Sequence, residues 1–96
     1  MIVVEGTIRV PDVEAARPVM ARMIAASRLE PGCIDYSYAV DLLDGTLVRV
    51  SERWADRESL RAHANTEHLA EWRSQWPRLR IAERSLRMYE AEPEEI

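Results

Sequence analysis

The stretch CIDYSYAVDLLDGTLVRVSERW, residues 33–54, determines the sheet of this protein. Every second residue from 34 to 40 is apolar or aromatic, which predicts a half-buried strand over residues 33–42. The Asp-Gly pair at 44–45 is a strong hairpin signal, and residues 46–54 predict the returning strand.

The residues before this hairpin predict a strand followed by a helix. Residues 2–10 are rich in β-branched side chains, and Gly6 leaves space for a group beside the strand. Apolar residues recur at helical spacing from 13 to 27, after Asp12, which can cap the helix. Because Pro18 removes a backbone hydrogen bond within this stretch, we expect a kink or a late start.

The residues after the hairpin predict an interrupted helix and a last strand. Asp56 can cap the helix, residues 65–66 are expected to interrupt it, and Pro77 is expected to end it. Residues 78–91 alternate loosely and predict a strand, and the acidic tail over 92–96 is expected to fray. The element order predicts a ferredoxin-like split βαβ arrangement, an α+β fold with an antiparallel sheet.

Length and composition limit the class of protein. The 96 residues suit one domain, and the single cysteine, Cys33, can form no internal disulfide. All thirteen basic residues are arginine, which excludes a Schiff-base lysine. The net charge of −4 argues against nucleic-acid binding, and no apolar stretch approaches the roughly 20 residues that span a bilayer. We therefore expect a cytoplasmic protein that binds neither nucleic acid nor membrane.

The predicted sheet bears on the oligomeric state. Two helices cover one face, yet the first three strands carry more apolar and aromatic residues than two helices can hide. An exposed apolar face usually marks an interface. A second copy packed face to face is the simplest cover, so we expect a homodimer.

Glu52 is the most informative polar residue of the second hairpin strand. It alternates in phase with Val50 and Trp54, so its side chain is expected to point toward an apolar face. An unpaired carboxylate there costs several kcal/mol. Two interpretations follow. Glu52 forms a structural ion pair with an arginine, or it lines a cavity as a polar and candidate catalytic group.

The two histidines, His63 and His68, are candidates for a general base, because the pKa of imidazole lies near physiological pH. Their spacing of five residues puts them about 140° apart on one helix, so metal binding is not expected. A hydrogen-bonded or surface histidine is the structural alternative for each. His63 is the preferred base, because it follows Leu60 by one turn and leans toward the sheet.

Four aromatic side chains are candidates for binding a flat small molecule. They are Tyr36, Tyr38, Trp54 and, on the helix, Trp72. For the three strand residues, both cavity lining and core packing remain open, whereas the helical spacing of Trp72 favours core packing.

Three motifs in sequence order give the chain a family resemblance. They are EPGCIDY (30–36), SERWAD (51–56) and HANTEH (63–68). With them the chain resembles the antibiotic biosynthesis monooxygenase domain family of small dimeric α/β-barrel proteins. Five positions match the recurring residues of that family: Tyr36, Glu52, Trp54, His63 and His68.

This resemblance implies two protomers that join their sheets into a barrel, with a pocket between sheet and helices in each. It also implies oxidation of an aromatic, polyketide or quinol-type molecule by dioxygen without flavin, haem or metal. Haem-degrading relatives share the fold, but their resemblance implies an asparagine on the first strand, which is absent here. A non-catalytic ligand-binding barrel and an isomerase of a small metabolite remain alternatives on the same scaffold.

Overall fold

The computed structural model describes residues 1–96 and confirms the predicted ferredoxin-like α+β fold. Its single sheet has the strand order β2-β3-β1-β4, and every neighbouring pair is antiparallel. None of the helices is long and apolar enough to cross a membrane. The elements are β1 (Ile2–Arg9), α1 (Val13–Arg28), β2 (Cys33–Asp41), β3 (Asp44–Trp54), α2 (Arg57–Ala64), α3 (Glu67–Ser74), α4 (Trp76–Leu79) and β4 (Ala82–Glu90).

The reversal between β2 and β3 lies earlier than the Asp-Gly pair predicted. Leu42 and Leu43 form the turn, and Asp44 is already part of β3. The Asp44 carboxylate accepts hydrogen bonds from the Thr46 backbone N–H at 3.0 Å and from Arg9 Nη1 at 2.7 Å. These contacts, the backbone N–H first, lower the Asp44 pKa to about 2 and fix the start of the strand.

Helix α1 begins at its predicted cap and continues past Pro18. Asp12 Oδ1 accepts a hydrogen bond from the Ala15 backbone N–H at 3.0 Å, and the helix starts at Val13. The expected late start is therefore wrong. The cap and the buried face of α1 outweigh the one hydrogen bond that proline cannot donate.

The second helical region is broken where the sequence predicted but extends further. It begins after the predicted Asp56 cap, α2 ends at Ala64, and α3 begins at Glu67. Pro77 does not end the region, because it lies in the first turn of the short α4, where its missing N–H costs little. The last strand consequently begins at Ala82 rather than at 78.

The core lies between the helices and one face of the sheet. The side chains of Tyr36, Val48 and Trp54 on this face are at most 1 % exposed within a single chain. The opposite face carries exposed charged groups such as Glu5 and Arg49. Apolar side chains are also exposed on the strands, with Ile34 at 57%, Val40 at 46% and Tyr89 at 49%. The homodimer stays a prediction.

Gly6 has the close neighbour that the sequence predicted, and this neighbour is β4. A Cβ atom at this position would lie 1.8 Å from the Ser85 carbonyl oxygen and 2.8 Å from Leu86 Cα. Only glycine therefore allows β1 and β4 to approach to their observed distance.

Candidate functional site

A cavity of about 330 Å³ lies between the sheet and the helices α2, α3 and α4. Val4 of β1 and Leu86 of β4 line its sheet side, and Leu60 and Leu69 line its helix side. Its volume and its mainly apolar lining are typical of a small-molecule site.

Most of the predicted site residues meet at this cavity. Trp54 and His68 are not part of its lining. Trp54 is fully buried with its ring 4.8 Å from the His63 ring, and His68 lies beyond the helix break. The predicted residues that do line the cavity are Tyr36, Tyr38, Glu52, His63 and Trp72.

His63 belongs to a hydrogen-bonded network that the sequence did not predict. His63 Nδ1 and His68 Nε2 each lie 2.7 Å from Glu30 Oε2, and the side chains of His63 and Glu30 are almost fully buried. Since an ionised carboxylate only accepts hydrogen bonds, both ring nitrogens donate to it. In the neutral tautomer that donates from Nδ1, His63 Nε2 carries no proton and is free to accept one.

The predicted angular separation of the two histidines is wrong because they do not share a helix. His63 lies in the last turn of α2 and His68 in the first turn of α3, and the break between the helices turns both rings toward Glu30. Glu30 is in the turn before β2, where the sequence signalled only chain reversal at Pro31-Gly32.

The same three residues have a donor set that suits a transition metal. Two imidazole nitrogens and a carboxylate oxygen lie within 4.8 Å of one another, and such a set is found at zinc and iron(II) sites. In this structure Glu30, His63 and His68 satisfy one another by hydrogen bonds. The expectation that the protein binds no metal stays a prediction.

Glu52 points into the buried side of the sheet, as its alternation predicted, but it has no arginine partner. It is 4 % exposed, and its Oε1 accepts a hydrogen bond from Trp54 Nε1 at 3.0 Å. The ion pair considered from the sequence is therefore not formed. Burial is the largest influence on Glu52 and raises its pKa, which favours the neutral carboxyl in the cavity lining.

The tyrosines present neutral hydroxyl groups to the cavity. The rings of Tyr36 and Tyr38 stack at 5.7 Å, and their oxygens lie 3.4 Å apart. Burial raises the pKa of both phenols. They are therefore suited to pack against an aromatic ligand or to donate a hydrogen bond to it, and they are poor proton acceptors.

Cys33 has the properties of a structural cysteine. It is half-buried, and burial, as the largest cause, raises the pKa of its thiol. A raised pKa lowers the thiolate fraction and argues against a nucleophilic role.

Two buried indole N–H groups at the cavity have no acceptor at full hydrogen-bond geometry, and one of them, that of Trp72, lies near the Tyr38 hydroxyl, where it opposes the rise that burial causes in the pKa of that phenol. They are Nε1 of Trp72 and Nε1 of Trp76, and both atoms are buried. Buried donors without a partner are uncommon in folded proteins. The sequence placed both tryptophans at core spacing and gave no signal for this property.

Fold and site together define a class: a ferredoxin-like domain with a mainly apolar cavity, of a size typical for small molecules, beside a buried histidine–carboxylate pair. The comparison with known families is more specific. A sequence profile described as antibiotic biosynthesis monooxygenase matches residues 1–75, and the chain belongs to this family.

Solved structures with the same fold include two whose names refer to this family. A Deinococcus radiodurans protein shares 21% identity and a TM-score of 0.88, with 100% of this chain and 97% of that chain covered. A Nitrosomonas europaea protein shares 22% identity and a TM-score of 0.83, with 95% and 98% covered.

A third structure is from Bacteroides thetaiotaomicron and is described as a possible oxidoreductase. It shares 25% identity and a TM-score of 0.77, with 92% of this chain and 94% of that chain covered. No curated protein matches the sequence.

Proposed function

We propose that this protein is a cofactor-independent monooxygenase that oxidises an aromatic, polyketide or quinol-type small molecule with dioxygen. Membership of the antibiotic biosynthesis monooxygenase family supports the reaction class. The observation that carries the proposal is the His63–Glu30 pair, in which a buried carboxylate holds the histidine that lines the cavity.

His63 is the proposed general base. With Nδ1 donating to Glu30, its Nε2 can take a proton from an acidic C–H or O–H of a bound substrate. The Glu30 carboxylate then stabilises the imidazolium that forms, as the third member of a catalytic triad does. Because the cavity is mainly apolar, it excludes water from the resulting substrate anion.

The oxidation can be written for an anthrone-type substrate, which has an acidic CH₂ group. His63 removes one proton, the carbanion transfers its electrons to dioxygen, and a C–O bond forms to give a hydroperoxide. Loss of the second C–H proton then breaks the O–O bond. The product is a ketone that retains one oxygen atom, and the other oxygen leaves as water with the two protons.

The aromatic lining orients the substrate in this proposal. Tyr36, Tyr38 and Trp72 provide flat surfaces, and Tyr36 lies edge-on to His63 with ring centroids 5.2 Å apart. Glu52, when protonated, can donate a hydrogen bond to a substrate oxygen, because burial raises its pKa. Trp54 supports the site from behind by its hydrogen bond to Glu52.

The test is oxygen uptake with a panel of anthrones and hydroquinones, with the His63→Ala and His68→Ala variants compared with the wild type. Removal of the base is expected to lower kcat by about 10²–10⁴-fold. Because His68 does not line the cavity, its substitution should have a much smaller effect. Equal rates for the wild type and His63→Ala would exclude His63 as the base.

The same experiment separates the alternative functions. A rearranged product under anaerobic conditions would indicate isomerisation, which also needs only a base and a cavity. A ligand that raises the melting temperature without oxygen uptake or product formation would indicate a non-catalytic binding protein.

The homodimer is part of this proposal. One face of the sheet is covered by the helices, whereas the other face has no layer over it and carries charges of both signs, such as Glu5, Arg49 and Arg53. A two-fold contact could pair these charges between copies. Sedimentation velocity in low and high salt tests this arrangement, and a monomer in both would contradict it.

A further inference from the structure

The charge around the cavity differs from the charge of the whole chain. The protein has a net charge of −4, yet five arginines line the cavity and Glu52 is its only carboxylic acid. These arginines come from α2, α3 and β4, and all are exposed. They are Arg57, Arg61, Arg73, Arg84 and Arg87. Arg87 lies opposite Glu5 in the pairing of β1 with β4 and also borders the uncovered face of the sheet, so the charged groups at the cavity mouth are those of the other four.

Most of these arginines have no carboxylate partner. Only Arg57 forms an ion pair, with Glu90 at 3.5 Å. The positive charge of Arg84 acts on Glu52 inside the cavity, and that of Arg73 acts on Tyr38. The aliphatic parts of arginine side chains often cover apolar surface. Such packing alone does not require more arginines than carboxylates around the cavity.

The second independent observation is a pair of buried indole N–H groups. Trp72 and Trp76 are in edge-to-face contact at 5.9 Å. Nε1 of Trp76 is buried without an acceptor, and Nε1 of Trp72 has only the Tyr38 hydroxyl nearby, outside full hydrogen-bond geometry. A ligand that brings acceptor oxygens into the cavity would satisfy them. The cavity lining therefore holds more cationic and neutral donors than acceptors, and the acceptors are Glu52, His63 and the two tyrosine hydroxyls.

We propose that the cavity selects an aromatic ligand that carries a carboxylate. The apolar lining takes the rings, while the arginines at the mouth and the indole N–H groups bind the carboxylate oxygens. A carboxylate suits this setting better than a phosphate, because a single charge costs less to transfer into a mainly apolar cavity. The inference rests on the proposed function in one respect, because it takes the bound ligand to be the substrate of that reaction.

The experiment compares two probes of nearly equal shape, anthraquinone-2-carboxylate and anthraquinone-2-carboxamide, by isothermal titration calorimetry with the wild-type chain. The carboxylate is expected to bind at least about tenfold more tightly, the usual value of one charge-assisted hydrogen bond. This preference should decrease as salt is added, because the arginines are exposed. Equal affinities at low salt would overturn the proposal, and tighter binding of the corresponding phosphate ester would overturn the choice of carboxylate.

Three cavity variants and one control test the assignment of residues. Arg84→Gln and Arg73→Gln should each reduce the preference for the carboxylate several-fold. The control Arg78→Gln makes the same charge change outside the cavity and should leave the preference intact. Trp72→Phe keeps an aromatic ring, removes the N–H donor and should weaken carboxylate binding. A preference unchanged in all three cavity variants, with normal circular dichroism, would contradict the assignment.

The outcome is distinguishable from that of the proposed function. If the carboxylate binds preferentially but no probe or anthrone consumes oxygen, the ligand class holds and the monooxygenase proposal fails. If neutral anthrones are oxidised and a carboxylate adds no affinity, the monooxygenase proposal holds and the ligand class fails.

Discussion

Replacing Glu30 by glutamine tests the centre of the proposed site with little change of shape. The Glu30 carboxylate accepts hydrogen bonds from His63 Nδ1 and His68 Nε2, both at 2.7 Å. In Glu30→Gln the amide oxygen can still accept a hydrogen bond, but the negative charge is lost and a buried NH₂ group is added. The variant therefore separates the charge of this residue from its size.

The expected magnitude follows from the two hydrogen bonds. Bonds to a charged group contribute about 1.5–3 kcal/mol and neutral ones about 0.5–1.5, so two conversions cost roughly 1–3 kcal/mol of the free energy of unfolding. The effect on catalysis should be larger, because the imidazolium at His63 loses its counter-charge. We expect kcat to fall by about 10²–10⁴-fold while KM changes little.

Urea denaturation and oxygen uptake measure the two effects separately. Glu67→Gln is the matched control, because Glu67 is exposed and loses the same charge without a hydrogen-bond partner in the site. If Glu30→Gln and Glu67→Gln have the same stability and the same kcat, Glu30 neither positions His63 nor stabilises its charged form.

Three further substitutions test the pKa shifts and the sheet. Burial raises the Glu52 pKa above 4.5, so the folded state holds the carboxyl proton more tightly than the unfolded state does. The contribution of Glu52 to stability is therefore lost as pH rises through the raised pKa. Glu52→Gln should flatten the pH dependence of the unfolding free energy measured in urea titrations. Contacts lower the Asp44 pKa from 3.8 to about 2, so the contribution of its charge to stability is present above pH 3.8 and is lost as pH falls through the lowered pKa. Asp44→Asn should therefore lower the Tm at pH 7, and this difference should shrink as the pH falls toward 2. Gly6→Ala should lower the unfolding free energy by about 1–3 kcal/mol or more, because the added Cβ meets the β4 backbone. Gly45→Ala is the control and should cost far less, because its Cβ would have no atom within 4 Å. Equal denaturation midpoints for the two variants would contradict this packing argument.

The strands and the faces of the sheet could be predicted from the sequence because they depend on local alternation. The alternation of side chains along β3 predicted that Glu52 and Trp54 point to the buried side of the sheet, and both are buried. The turn was predicted at Asp44-Gly45 but lies at Leu42 and Leu43. Asp44 instead accepts hydrogen bonds from the nearby Thr46 backbone and from Arg9, 35 residues away, and the second of these contacts could not be predicted from local sequence.

The candidate site could be predicted only in part, because its central contact joins three elements. Glu30 lies in a turn and His68 beyond a helix break, so neither a motif nor a helical angle relates them to His63. The break at residues 65–66 was itself predictable. Its effect on the direction of the second histidine required the tertiary structure, since two helices joined by a short break can meet at many angles.

The cavity and the expected dimer contact lie on opposite sides of the sheet, apart from Arg87 at the β4 edge, which borders both. The cavity is lined by residues of one chain, with the proposed base His63 on α2 and its partner Glu30 in the turn before β2. The charged groups Glu5 and Arg49 lie on the uncovered face. Binding of an aromatic ligand should therefore not require the partner subunit, and any influence of dimerisation on the cavity must pass through the strands that both faces share, with β4 at the edge as the most direct route.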